Sequence, residues 1–145
     1  VERLDGPKAV LVDDDVTVLK RNGEAGVVLG CGSVAGADVE QFHAAWEDAL
    51  DEAGLQRDDV EFVATGTRKA DEEGMLAAAE EWGLGVVSFE KETLEEFEGP
   101  TPSRSKELIG WPGISESSAI AAGRNHELLA EKTRYDEAVT VAVGR

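Results

Sequence analysis

Two polar segments of the chain carry residue types that could bind an anionic small molecule. Gly30 and Cys31 open a glycine-rich stretch that runs to Gly36, and its backbone N–H groups could approach an anion closely. The segment Thr65–Glu72 gathers hydroxyls, two cations and two carboxylates after an apolar run. The competing interpretation of the first segment is a plain tight turn. The competing interpretation of the second segment is the start of a helix, which its acidic residues would favour through the helix dipole.

Neither segment matches the fingerprint of a common cofactor. The glycines follow the spacing Gly-x-Gly-x-x-x-Gly, and Thr65-Gly66 ends the second apolar run where a dinucleotide site needs an acidic residue. His43 and His126 lack metal-ligand spacing, and one cysteine is too few for a structural zinc site. The sequence therefore predicts no metal and no cofactor, and a structural or ligand-lining role for Cys31.

Alternating strands and helices must position these segments. Asp38 is predicted to cap a helix, with Gln41 three residues on and Gly54 at its end. Ser115 is predicted to cap a later helix, because serine is a preferred N-cap residue. It is not predicted to be a nucleophile, because Gly113–Ser117 lacks the final glycine of a nucleophile elbow. The predicted strands are 25–29, 60–64 and 86–89, the predicted helices are 38–53, 71–82, 93–97 and 115–122, and a β-hairpin is predicted from 128–132 and 138–143.

This order predicts a three-layer α/β/α domain with a mostly parallel sheet and a C-terminal β-hairpin. We expect the domain to span 25–145, preceded by a lead-in ribbon or a remnant of another domain at 1–24, with β-like runs at 9–12 and 16–19. The carboxyl ends of parallel strands share one edge, so both polar segments are expected to line one crevice. Because the chain starts at Val1 without Met, we expect a piece of a longer protein.

The stretch Gly99–Ser115 is predicted to be a long functional loop. It contains Thr101, Ser103 and a Gly-Trp-Pro-Gly run, and connections longer than about 12 residues are usually functional or disordered. Its apolar residues argue against disorder. One interpretation is that Ile109, Trp111 and Pro112 dock a partner protein, which would make the chain a non-catalytic regulatory or interaction domain.

Charge excludes two classes of partner. The chain has 31 acidic and 14 basic residues and a formal net charge of −17, and its basic residues are scattered among Asp and Glu. Nucleic acids and anionic membranes both need Lys/Arg patches, so neither is expected to bind. The acidity indicates either a salt-adapted, halophilic protein or an ordinary acidic cytosolic one. The lone Cys31 and the lack of a signal or membrane-spanning segment predict a cytoplasmic location.

Five motifs, in order, resemble the CobE/CbiG C-terminal domain family of cobalamin biosynthesis. The resemblance covers roughly residue 27 to the end, although the family's basic residues after Gly-Cys are absent here. The motifs are Gly30-Cys31, Ala64-Thr65 with Lys69-Ala70-Asp71-Glu72-x-Gly74-Met75, Thr101-Pro102-Ser103, Gly113-Ile114-x-Glu116-x-x-Ala119, and Lys132-Thr133 with Val139-Thr140-Val141-Ala142.

The resemblance implies work on a precorrin, a tetrapyrrole that carries many carboxylates. CbiG-type proteins open the δ-lactone of cobalt-precorrin-5A and release acetaldehyde, and CobE-type proteins are stand-alone relatives of their C-terminal domain. By this resemblance Glu72 and Glu116 are the candidate acid–base residues, and the chain is expected to pair as a homodimer or with an N-terminal CbiG-type domain. The implied ligand-binding residues are Gly30, Cys31, Thr65, Lys69, Thr101, Ser103, Gly113 and Lys132.

Overall fold

A computed structural model describes residues 10–11, 26–67, 72–100, 113–123 and 125–145. The strands are β1 (Val10–Leu11), β2 (Val27–Ser33), β3 (Val60–Gly66), β4 (Gly85–Phe89), β5 (Leu128–Tyr135) and β6 (Val139–Gly144). The helices are α1 (Val39–Glu52), α2 (Glu73–Glu81), α3 (Lys91–Glu95) and α4 (Ile114–Ala122), and a 3-10 turn, Arg57–Asp59, precedes β3.

The six strands form one sheet in the order β1-β4-β3-β2-β6-β5. The central strands β4, β3 and β2 are parallel, β1 adds antiparallel to β4, and β6 and β5 add antiparallel on the other side. The predicted α/β fold and C-terminal hairpin are confirmed, and the sheet is mixed, with its parallel strands at the centre. The carboxyl ends of β2 and β3 therefore lie side by side.

The two faces of the sheet pack differently. On one face Val27, Leu29 and Cys31 of β2 lie in a core with the large residues Phe42 and Trp46 of α1. On the other face β2 presents Gly30 and Gly32, and α3 and α4 cover a core that includes Phe62 and Phe89. Helices on both faces give the predicted three layers.

Several local predictions are confirmed. Asp38 accepts the Gln41 N–H at 2.9 Å and the Gln41 side chain accepts the Asp38 N–H at 3.0 Å, so α1 starts with a capping box. Gly54, after α1, has a φ of +72°, a conformation that favours glycine. His43 and His126 each bond a backbone carbonyl, of Ala78 and Ile120, as expected of satisfied side chains.

Three boundary predictions are wrong. Gly30–Ser33 continues β2 and is not a loop, and Thr65 lies inside β3. Gly113 and not Ser115 caps α4, and Ser115 is buried in its first turn. Of the predicted lead-in ribbon only Val10–Leu11 is described, as β1, so the division at residue 24 stays a prediction.

In the part of the chain that the structure describes, no helix has the length and apolar character needed to cross a membrane.

The net charge of −17 predicts that salt stabilises this fold. The Debye length falls from about 10 Å at 0.1 M to about 3 Å at 1 M salt. Repulsion among surface carboxylates destabilises the folded state, and molar KCl weakens that repulsion. We expect the melting temperature to rise steadily across a KCl series from low to molar concentration, followed by circular dichroism. A flat or falling melting temperature contradicts salt adaptation.

Candidate functional site

The candidate site is the carboxyl edge of the sheet, which we define as Ser33–Val34 at the end of β2, Gly66–Thr67 at the end of β3, and Gly113–Ile114 at the start of α4. A Cβ added to Gly32 would lie 3.8 Å from the Ile114 Cβ, so α4 begins directly over the end of β2. Ligands of α/β sheets bind at such carboxyl ends. The edge therefore combines strand ends and a helix N-terminus.

The position of α4 depends on glycines beneath it. A Cβ on Gly30 would overlap the carbonyl oxygen of Ser115, and one on Gly144 would overlap the carbonyl of Ala119. The helix thus rests on bare backbone of β2 and β6. Gly30, a predicted ligand-binding residue, lies beneath α4. The close contact at Gly30 determines the position of the first turn of that helix.

Cys31 and Thr65 are neighbours in the interior. The Thr65 hydroxyl donates to the Cys31 carbonyl at 2.8 Å, and both residues are fully buried. Burial raises the pKa of the Cys31 thiol to about 12, and a smaller effect of the Trp46 side chain lowers it. At neutral pH the thiol is protonated, so this sulfur does not act as a thiolate nucleophile.

Glu116 connects α4 to the hairpin. Its side chain is buried, and its carboxylate accepts the backbone N–H of Lys132 at 2.9 Å. Lys132 lies where β5 slips in register between Ala130 and Thr133, which leaves room for a side-chain acceptor. The predicted site residues Glu116 and Lys132 are thus in contact, and Gly113 is the N-cap of the helix that carries Glu116.

The other predicted residues lie apart from the contact between Glu116 and Lys132 or outside the described residues. Glu72 is half-buried at the N-cap of α2, which its side chain does not cap. Lys69, Thr101 and Ser103 are outside the described residues, as is Trp111 of the proposed docking loop. Within the described ranges no group of three or more His, Cys, Asp or Glu side chains could hold a metal ion.

Sequence reasoning missed two features of this edge. Val34 is 52% exposed and is one of two large hydrophobic side chains exposed among the described residues, the other being Leu129. Ser117 and Ser118 are both fully buried in α4. Serines within an alanine-rich helix could have indicated these buried hydroxyls from the sequence, because serine is a weaker helix former than alanine.

The turn of the hairpin borders the same edge. The Val34 N–H donates to the Ala138 carbonyl at 2.8 Å, and the Gln41 side chain donates to the Asp136 carboxylate at 2.9 Å. Asp136 and Glu137 both have a positive φ, near +50°, as the two central residues of a type I′ hairpin turn do. These bonds hold the loop after β2 and the start of α1 to the hairpin.

The sequence matches proteins of vitamin B12 synthesis. Residues 27–144 match the family described as "Cobalamin synthesis G C-terminus". Protein CobE of Sinorhizobium sp. is 30% identical over 125 residues, which cover 83% of this chain and 80% of that protein.

Solved structures agree with this match. The cobalamin biosynthesis protein chiG of Agrobacterium tumefaciens str. C58 is 32% identical, with a TM-score of 0.63 over 81% of this chain and 95% of that one. A CobE crystal structure, at 22% identity, shares the fold with a TM-score of 0.76 over 86% of this chain and 93% of that one. A cobalamin biosynthesis protein G homolog of Sulfolobus solfataricus, also 22% identical, has a TM-score of 0.62 over 82% of this chain but only 36% of that one.

The bond between Glu116 and Lys132 predicts a structural effect of Glu116. Glu116→Ala removes the carboxylate acceptor of the part-buried Lys132 N–H, and a hydrogen bond to a carboxylate contributes about 1.5–3 kcal/mol. We expect the free energy of unfolding in urea to fall by about that amount, and by less in Glu116→Gln, which keeps an acceptor oxygen. Glu131→Ala is the matched control, because Glu131 is exposed on the same strand. Equal stability of the two alanine variants contradicts this role.

Proposed function

Because the chain belongs to the cobalamin synthesis G C-terminal family, we propose that it binds a precorrin or cobalt-precorrin intermediate at the carboxyl edge of its sheet. The chain is a cobalamin biosynthesis protein of the CobE/CbiG type. The observation that carries the proposal is the pairing of an exposed apolar side chain, Val34, with a helix N-terminus that no side chain caps.

The chemistry of a precorrin suits that pairing. Its macrocycle presents an extended ring surface, and its rim carries several carboxylates. An exposed aliphatic side chain can cover part of the ring, and the N–H groups of a helix N-terminus can bind a carboxylate. Val34 and α4 supply these two features at one edge.

Two connections in the sequence each contain two cations. Arg68 and Lys69 lie between Thr67 and Glu72, and Arg104 and Lys106 lie between Pro100 and Gly113. These four residues are outside the described part of the chain. We keep Lys69, Thr101 and Ser103 as proposed ligand donors, because they belong to the two connections whose described ends border the edge.

We further propose that this chain binds the intermediate without opening its lactone. The match covers 36% of the Sulfolobus solfataricus homolog, so most of that protein lies outside the matched region. Of the two candidate acid–base residues, Glu116 already accepts a backbone N–H. Glu72, at the start of α2, is the carboxylate we retain for proton transfer within a larger assembly.

Binding can be tested with a pair of matched variants. Val34→Asn removes the exposed aliphatic side chain at the carboxyl edge. Leu129→Asn removes the other exposed large hydrophobic side chain among the described residues, which lies on the outer strand β5. Burying a valine side chain contributes about 1.5 kcal/mol, so Val34→Asn should weaken cobalt-precorrin-5A binding about tenfold in an anaerobic absorbance titration. Leu129→Asn should bind like the wild type. No binding by the wild-type chain, or equal losses in both variants, contradicts the proposal.

Lactone opening is followed separately by the acetaldehyde that it releases. Cobalt-precorrin-5A mixed with this chain alone should release acetaldehyde no faster than in buffer, because the chain binds the intermediate without hydrolysing it. Addition of a full-length CbiG-type protein to the same sample is the positive control. Acetaldehyde production by the chain alone would place the hydrolytic residues within these 145 residues.

A further inference from the structure

A row of three residues crosses the sheet close to its carboxyl edge. Gly32 of β2 lies opposite Thr140 of β6, and Thr140 lies opposite Arg134 of β5. Residues directly opposite each other in an antiparallel pair present their side chains to the same face, with Cβ atoms about 4.5–5.5 Å apart. The row therefore places bare backbone, a hydroxyl and an arginine side chain next to one another on one face of the sheet.

The row lies on the face of the sheet that α4 covers. A Cβ added to Gly32 would lie 2.9 Å from the Thr140 hydroxyl oxygen and 3.8 Å from the Ile114 Cβ. Tyr135, the residue after Arg134, packs against the core on the opposite face, as the alternation of a strand requires. The row thus runs from a position beside the first residue of α4 to the outer strand β5.

The polar groups of the row are accessible to a ligand. Arg134 is exposed and Thr140 is half-buried. Among the residues that the structure describes, the Thr140 hydroxyl forms no hydrogen bond and Arg134 forms no ion pair. Asp136, two residues after Arg134, accepts a bond from α1 instead, and the Glu116 carboxylate accepts the Lys132 N–H. Arg134 is therefore not neutralised by either of these carboxylates.

The charge of β5 differs from that of the rest of this acidic chain. β5 carries Lys132 and Arg134 against Glu131, whereas every described α-helix carries more acids than cations. The guanidinium of arginine stays charged at any physiological pH, and its N–H groups match the two oxygens of a carboxylate. In a chain with a net charge of −17, an arginine without an ion pair is suited to binding an anion from solution.

We propose that Arg134 and Thr140 form a carboxylate-binding pair. The guanidinium of Arg134 donates two hydrogen bonds to the carboxylate, and the Thr140 hydroxyl donates a third, for which a carboxylate has enough lone pairs. Gly32 has no side chain beside that hydroxyl, which leaves room for the ligand. The identity of the ligand, a rim carboxylate of a precorrin, rests on the proposed function, whereas the chemistry of the pair does not.

The position of Val34 suits a ligand that has both a ring surface and rim carboxylates. The Val34 N–H donates to the Ala138 carbonyl at 2.8 Å, so the pairing of β2 with β6 continues to Val34. Val34 lies two residues after Gly32, and an extended chain returns to the same face at every second residue. Neighbouring strands are about 4.8 Å apart, so Arg134 on β5 lies about 10 Å across the sheet from β2. A macrocycle with carboxylates at its rim can contact both residues, whereas a small carboxylate contacts only the pair.

Two variants remove the donors of the pair. Arg134→Gln removes the charge, and Thr140→Val removes the hydroxyl while keeping a branched side chain in the strand. Each should raise the Kd of cobalt-precorrin-5A about tenfold or more in an anaerobic absorbance titration, as expected for loss of a hydrogen bond to a carboxylate. The melting temperatures of both variants should stay near that of the wild type, because accessible polar side chains contribute little to stability.

Arg57→Gln is the matched control for the lost charge. Arg57 is also exposed, and it precedes β3 at the opposite, amino edge of the sheet. This variant changes the net charge by the same amount, so it should leave the Kd near that of the wild type. Arg134→Lys keeps the charge and loses the planar fork of N–H groups, so it should restore only part of the affinity.

Citrate, a tricarboxylate, tests the pair without a precorrin. Compared with KCl at equal ionic strength, citrate should shift the Nε–Hε resonance of Arg134 saturably in ¹H–¹⁵N spectra and leave that of Arg57 in place. The Arg134 resonance is assigned by its loss in Arg134→Gln. Thr140→Val should raise the citrate Kd about tenfold, because the hydroxyl contributes one hydrogen bond to a carboxylate.

The two ligands separate failure of the pair from failure of the proposed function. If the wild type and both variants bind cobalt-precorrin-5A equally, the proposed function stands and the pair is wrong. An equal loss in Arg57→Gln shows an effect of overall charge, and a sharp fall in the melting temperature of either variant shows a structural role; both overturn the pair. If citrate shifts Arg134 as expected and cobalt-precorrin-5A does not bind, the pair stands and the proposed function is wrong. If the wild type binds neither ligand, both are wrong.

Discussion

The close approach of α4 to bare backbone of the sheet determines the rest of this structure. Gly30 of β2 and Gly144 of β6 lie under the carbonyls of Ser115 and Ala119, with no room for a side chain. Packed interiors resist even one added methyl group, so the two glycines set the height of the helix. A helix seated this low has its first turn level with the end of β2, where a ligand of the carboxyl edge would bind.

The low seat of α4 accounts for the difference between the two faces of the sheet. Large side chains such as Phe42 and Trp46 fill the space under α1. Where α4 crosses Gly30 and Gly144 that space does not exist, and most residues of the helix are serine and alanine. Buried serines need acceptors, and Ser118 finds carbonyls both in its own helix and in β3. The Glu116 carboxylate bonds the β5 backbone, so polar contacts replace part of the apolar packing.

The sequence predicts the elements well and their ends at the site poorly. Periodicity is sufficient for α1, because its apolar stripe, its capping box and Gly54 are all local signals. The extension of β2 through Gly30–Ser33 is not determined by local sequence signals. Glycine is a weak strand former, yet β2 bonds to β3 and β6 on its two sides, and α4 excludes any larger residue.

At the candidate site, too, local motifs are predicted from the sequence and long-range contacts are not. Five motifs in order are enough to identify the family and to select Glu116 and Lys132, which the fold brings into contact. Their roles depend on long-range geometry. The acceptor role of Glu116 needs a register slip in a strand 16 residues away, and no spacing rule reports that slip. Ser115 was predicted to cap α4 because serine is the commoner cap, whereas glycine is there and leaves the helix N-terminus open.

The proposed binding of a polycarboxylate at the N-terminus of α4 is compatible with the acidity of this chain. Cationic side chains are few here, at 14 against 31 acids, and a net charge of −17 repels an anion at long range. At physiological ionic strength that repulsion is screened beyond about 8 Å. Backbone N–H groups and hydroxyls act within about 3 Å and carry no net charge to be cancelled by neighbouring carboxylates. The binding proposed at the start of α4 therefore does not require the surface to lose its acidic residues.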